Sequence, residues 1–228
     1  MTKPLRLVIF DVDGTLVDSQ TDIIGAMTRA FEGQNFDVPT RDQVLGIVGL
    51  SLPVAMAKLA PDAPGAVQAN LVEGYKSAYV EMRAKTGAAQ SSPLYPGARD
   101  ALEALHSVPE LLMGVATGKS KRGLDKLIEA HALQKFFVTE QVADFHPSKP
   151  HPSMILQAMA DAGVTPENTV MIGDTSFDMD MAQAAGVRGI GVSWGYHPVD
   201  ALTGAQHILD DFSALSDALA MMWGANHE

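Results

Sequence analysis

Residues 5–10, LRLVIF, are nearly all apolar, the pattern of a strand covered on both faces of a parallel sheet. Comparable short runs recur at residues 111–116, 136–142, 169–172 and 189–192. Amphipathic stretches with helical spacing separate most of them, at 98–106, 121–133, 153–162 and 179–185. Strand and helix signals that alternate in this way predict an α/β layer fold with a mostly parallel sheet. Right-handed crossovers then place helices on both sides of that sheet.

Residues 19–86 break the alternation, with repeated helical signals and no convincing strand. Ser19 and Asp22 form an S-x-x-D start, and Ile23, Ile24, Met27 and Phe31 follow on one helical face. Thr40 and Gln43 repeat the capping-box spacing ahead of Val44, Ile47 and Val48. Ser51 can cap a helix whose first turn tolerates Pro53. Val67, Leu71, Tyr75, Ala78 and Met82 make the stripe of a longer helix. SSPLYPG, with two prolines and a glycine, reads as a connector back to the alternating pattern. The expected organisation is a discontinuous core, residues 1–17 and 90–228, with a small all-helical domain, 18–89, inserted after the first strand.

Composition narrows the function classes. The chain has 228 residues, no cysteine, and 16 Lys and Arg against 27 Asp and Glu, a formal net charge of −11. Disulfides and thiolate metal sites are excluded. The charge disfavours nucleic acid as a partner, because phosphate contacts need clustered Lys and Arg, and beyond Asp161 Arg188 stands alone as a cation. No apolar run reaches the length of a membrane span, and the N-terminus enters the first strand with no signal-peptide pattern. A cytosolic protein is the expectation.

Chemistry concentrates where strands end. In an extended segment residues two apart point the same way, so Asp11 and Asp13 of DVDGT can share one small volume. Gly14 permits the tight turn that follows. Two carboxylates so placed repel unless a cation or a shared proton relieves them, and a hard divalent ion such as Mg²⁺ suits oxygen ligands. Taken alone the segment is equally a turn, since Asp and Gly dominate turns. Three later segments change the balance. VATGKS ends a strand at Thr117 and offers backbone amides near a helix start, where anions bind. SKPHP sets Lys149 in a proline-bounded turn, and VMIGDTSFD ends a strand with Asp174 and places Asp178 four residues later. The carboxyl ends of parallel strands share one edge, where ligands bind. Independent turn and cap residues remain the alternative for each segment.

These four segments, in this order, resemble the signature motifs of the haloacid dehalogenase superfamily of phosphohydrolases, and the likeness spans nearly the whole chain. LYPGARDALEAL and IGVSWGYH resemble its phosphoglycolate-phosphatase-like branch. The resemblance implies a three-layer Rossmann-like parallel sheet core with a helical cap. It implies that Asp11 attacks phosphorus to form an aspartyl-phosphate, and that Asp13 protonates the leaving oxygen and later takes a proton from water. It assigns Mg²⁺ to Asp11, Asp13 (through its backbone carbonyl) and Asp174, and the phosphate oxygens to Thr117, Gly118 and Lys149. Asp178 would orient Lys149 or a metal-bound water. Many relatives have Asn or Ser at the place of Gly118, so a substrate contact from that side chain is missing here.

The implied activity is a Mg²⁺-dependent phosphomonoester hydrolase acting on a small cytosolic metabolite, 2-phosphoglycolate being the favoured guess. Asp13 argues against dehalogenation, since a halide leaves without a proton. A phosphosugar mutase, a pyrophosphatase or nucleotidase, and a silent metabolite-binding protein are the alternatives. Other residues take bland readings. His146 and His151, which flank Lys149, are expected to be structural, as are Trp194 and Tyr196. Lys119 and Arg122 suit either a substrate carboxylate or a solvated helix start. Asp18 is expected at a hinge or cap, and the AMMW tail over the core.

Overall fold

The computed structural model describes residues 3–224. Strands β1 (Arg6–Phe10), β2 (Leu111–Thr117), β3 (Phe137–Val142), β4 (Thr169–Gly173), β5 (Arg188–Val192) and β6 (His207–Leu209) form one sheet in the order β3-β2-β1-β4-β5-β6. Every neighbouring pair is parallel. With β2 and β4 flanking β1, the residues that follow these three strands emerge side by side at one edge. β6 was not expected; three residues are too few to carry a periodic signal.

Of the helices between β1 and β2, the first five form a layer of their own: α1 (Gln20–Glu32), α2 (Arg41–Leu45), α3 (Leu52–Leu59), α4 (Gly65–Thr86) and α5 (Ala88–Ser91). They enclose a hydrophobic cluster built on Met27, Phe31, Val44, Met56 and Leu71, which shares no residue with the clusters on the sheet. The chain enters and leaves this layer side by side, with Asp18 N donating to Pro93 O at 2.9 Å.

The remaining helices cover the sheet. Val8 and Phe10 of β1 face a cluster with α6 (Ala98–His106), α7 (Lys121–Ala130) and α10 (Leu215–Met222). Leu7 and Ile9 face the opposite cluster, with α8 (Ser153–Ala162) and α9 (Ser176–Ala185). That two-sided burial is why β1 reads as an unbroken apolar run. The fold is α/β, a three-layer Rossmann-like parallel sheet with helices inserted after its first strand. Among the described residues no helix is long and apolar enough to cross a membrane.

Local expectations meet mixed outcomes. Thr40 forms the capping box, accepting from Gln43 N at 3.3 Å while Gln43 Oε1 accepts from Thr40 N at 2.8 Å. Ser19 does not; it precedes α1, but its hydroxyl donates to Asp13 instead. Ser51 makes no side-chain cap either, its N–H donating to Ser148 Oγ at 2.8 Å. Helix α9 starts three residues before expectation because Thr175 and Asp178 form a capping box of their own. The tail only partly covers the core: Trp223 is buried, whereas Met221 is 61% exposed.

Candidate active site

The turn after β1 holds the first two acids in different company. Gly14 takes a left-handed conformation (φ 87°), and a Cβ there would collide with the carboxylate of Asp174. A Cβ on Gly195 would strike the same side chain. Asp174, just beyond β4, therefore enters the edge through a gap between two glycines.

Asp11, Asp174 and Asp178, all buried, each bring one oxygen within 4.8 Å of the others. Lys149 is equally buried; its Nζ stands 2.9 Å from Asp11 Oδ1 and 2.6 Å from Asp178 Oδ1. Asp178 Oδ2 accepts from Thr175 N (3.1 Å) and Thr175 Oγ1 (2.6 Å), so both of its oxygens are engaged. Asp174 accepts from Thr15 Oγ1 (2.9 Å) and Tyr196 N (2.8 Å). Asp11 has the charge of Lys149 beside it, but neither of its oxygens receives a hydrogen bond of good geometry. Burial, opposed by Lys149 and reinforced by Asp178, pushes the Asp11 carboxyl up to about 7. Burial also carries Asp174 well above the carboxylate range, with Asp11 and Asp178 adding to it. For Lys149 burial acts downward, yet Asp11 and Asp178 leave it above the usual lysine value.

Three buried carboxylates crowd one ammonium, and burial resists the ionisation of Asp11 and Asp174. The unpartnered oxygens of Asp11, beside Asp174, are the donor set a hard divalent cation takes. Of the expected metal residues these two carboxylates are brought together. The side chain of Asp13 stands apart, its two oxygens 2.5 and 2.7 Å from Lys119 Nζ and one of them accepting from Ser19. That leaves its backbone carbonyl as the group Asp13 can offer a metal.

Thr117 ends β2 beside this cluster, buried, with its Oγ1 accepting from Lys119 N at 3.2 Å. Gly118 faces the inserted helices. A Cβ there would lie 2.6 Å from the carbonyl oxygen of Gly49 and 2.7 Å from that of Leu50. The missing side chain thus has a packing reason: it admits the loop before α3.

Several groups went unread in the sequence. Lys119 is the partner of Asp13 rather than a solvated helix start. Tyr196 is wired into the site, donating from its backbone to Asp174 and accepting from Ser19 N at 2.9 Å. Trp194 packs against Tyr95 and Phe212 and donates to Thr15 O at 3.1 Å, a packing role. His146 spends both ring nitrogens, on Ser153 Oγ and Gln141 Oε1, and His151 accepts from Ser153 N, so neither serves the acid cluster. Asp18 accepts from Gln20 N at 3.2 Å, a local turn contact.

A cavity of about 690 Å³ opens from Asp11, Asp13 and Thr117 toward the inserted helices. Ile23, Met27, Val48 and Leu52 give it apolar walls, and Tyr75, Tyr79 and Arg83 of α4 line its helical side.

The chain has relatives along nearly its whole length. The family model described as haloacid dehalogenase-like hydrolase matches residues 8–192. A probable phosphatase, IndB, of Dickeya dadantii (strain 3937) is 36% identical, over 95% of this chain and 93% of its own length. A phosphoglycolate phosphatase of Aliivibrio fischeri (strain ATCC 700601 / ES114) is 28% identical, over 97% of this chain and 99% of its own. The crystal structure of a predicted phosphoglycolate phosphatase from Haemophilus somnus 129pt superposes with a TM-score of 0.82 at 23% identity, covering 96% of this chain and 99% of that one, a likeness of fold. A sheet edge that gathers Asp11, Lys149 and Asp174 lies within the matched span, and the chain belongs to the haloacid dehalogenase-like hydrolases.

Proposed function

We propose that this hydrolase is a phosphatase that cleaves small phosphomonoesters through an aspartyl-phosphate on Asp11, with 2-phosphoglycolate among its substrates. The observation that carries the reading is Asp11 itself: a buried carboxylate whose close polar neighbour is the ammonium of Lys149, 2.9 Å away. Relatives named phosphatase and phosphoglycolate phosphatase support the reaction class and the substrate. The net charge of −11 speaks for a small-molecule partner over nucleic acid, and the absence of cysteine suits a cytosolic setting.

In this reading Asp11 attacks phosphorus as the bond to the leaving oxygen breaks. Asp13 gives that oxygen its proton, then takes one from the water that hydrolyses the aspartyl-phosphate, so inorganic phosphate leaves and Asp11 is restored. Thr117 Oγ1, the Gly118 backbone and Lys149 hold the nonbridging oxygens. Asp178, its second oxygen anchored by Thr175, keeps the ammonium of Lys149 in place. A Mg²⁺ ion, held by Asp11, Asp174 and the Asp13 carbonyl, would neutralise the repulsion between nucleophile and phosphate. Helices α1–α5, spanning residues 20–91, act as a cap that shuts the cavity against water and selects the leaving group.

The test is phosphate release from a panel of phosphomonoesters, with Mg²⁺ or with chelator. Metal-dependent release is expected, and Asp11→Asn should lower it by about 10³-fold or more while the protein stays folded. Folded Asp11→Asn protein that still turns over would refute the assignment. An isomerised sugar phosphate in place of free phosphate would identify a mutase.

A further inference from the structure

The cavity wall carries a charged side chain that the chemistry leaves unused. Arg83 lies near the end of α4, and its Nε and Nη2 are buried with no hydrogen-bond partner. No carboxylate comes within 4.0 Å of it among the described residues. A guanidinium keeps its charge under all ordinary conditions, and buried donors without acceptors weaken a fold.

Its surroundings indicate what the missing acceptor is. Arg83 Cζ sits 5.4 Å from the centroid of the Tyr79 ring, and Lys119 Nζ sits 5.5 Å from the same centroid. Lys119 is already committed to both oxygens of Asp13. Two cations therefore share one aromatic ring, the first held by the carboxylate of Asp13 and the second facing the cavity. Lys119 stands at the proton-transfer acid, so Arg83 lies one ring beyond the place where the leaving group departs. Ile23, Met27, Val48 and Leu52 make other parts of the wall apolar. A planar anion at the far end of the leaving group would meet two free N–H groups in fork geometry.

We propose that Arg83 is the specificity residue of this cavity, receiving a carboxylate at the far end of the leaving group, so that the substrates are phosphomonoesters of hydroxy acids. The proposal rests on the phosphatase reading of the same site. A cavity of about 690 Å³ has room for hydroxy acids longer than the two-carbon one.

Matched pairs test it: 2-phosphoglycolate against 2-hydroxyethyl phosphate, and 3-phosphoglycerate against glycerol 3-phosphate. Within each pair a carboxylate is exchanged for CH₂OH. The wild-type protein should favour the better acid over its partner by about tenfold or more in kcat/KM. Arg83→Met should bring that ratio close to one, chiefly through KM, and Arg83→Lys should leave an intermediate ratio. A wild-type ratio near one, or a ratio that survives in folded Arg83→Met protein, overturns the proposal. Asp22, whose Oδ2 is also buried without a partner, is the control. If Arg83 served only to balance Asp22, Arg83→Met and Asp22→Asn would both lower Tm and leave the substrate ratio unchanged, which counts against the proposal. Calorimetric binding of each pair to Asp11→Asn protein reads the same contact without turnover. Failure of catalysis alone thus refutes the phosphatase reading, whereas equal affinity for acid and alcohol refutes the role of Arg83.

Discussion

Asp11 owes its behaviour to neighbours that lie far from it in the chain: Lys149 on the β3–α8 connection, and Asp174 and Asp178 around the end of β4. Its carboxyl, held near 7 chiefly by burial, keeps a proton over a range in which the unfolded chain has already released it. A raised acid makes the fold less stable as pH climbs from the unfolded value to the folded one. Melting temperature in chelator should therefore fall between about pH 4 and about pH 7. Mg²⁺ should flatten that fall, because a cation favours the ionised form, and Asp11→Asn should remove much of it. An identical pH profile with and without metal would contradict this account of the cluster. Asp11, Asp174 and Lys149 were legible because each stands at a strand end or in a proline-bounded turn, where the chain has little structural use for a charge, and Asp178 through its spacing from Asp174. Ser19 and Lys119 were not, because each also suits a helix start, and no local pattern distinguishes a cap from a contact reaching across the fold. Arg83 was hidden among the ordinary charges of a long helix.

Helices and strands follow their sequence signals where the signal is local. Helices α6 and α8 end where their apolar periodicity ends, and the Thr40 capping box forms as its spacing suggests. Thr40→Ala should accordingly cost about 0.5–2 kcal/mol in denaturant unfolding, with kcat unchanged. Ser19→Ala removes no cap, so its effect belongs to Asp13. An unchanged unfolding midpoint for Thr40→Ala would show that packing alone holds α2. Strand β6 escaped notice because its pairing with β5 is tertiary, and α7 stops short of expectation near Ala132, which takes a left-handed conformation (φ 50°).

Across the whole molecule, the loop before α3 meets the sheet edge at Gly118, against carbonyl oxygens 2.6 and 2.7 Å from where a Cβ would stand. Backbone atoms cannot swing aside as a long side chain can. Gly118→Asn should thus wedge the proposed cap away from the edge. Overpacking of this kind costs about 1–3 kcal/mol, so kcat/KM should drop by about tenfold or more, with faster proteolysis between residues 45 and 55. Unaltered kinetics would mean that this contact is not part of the working state. The sequence showed that Gly118 lacks a side chain but not what fills the space, since its neighbour lies about seventy residues earlier in the chain. The inserted helices have a consequence of another kind. Their hydrophobic cluster shares no residue with either cluster on the sheet, and β1 passes into them and back through one adjacent pair of backbone crossings. If the inserted helices form the proposed cap, recognition and bond-breaking are written on separate stretches of chain, and descent can revise the first while the second is inherited intact.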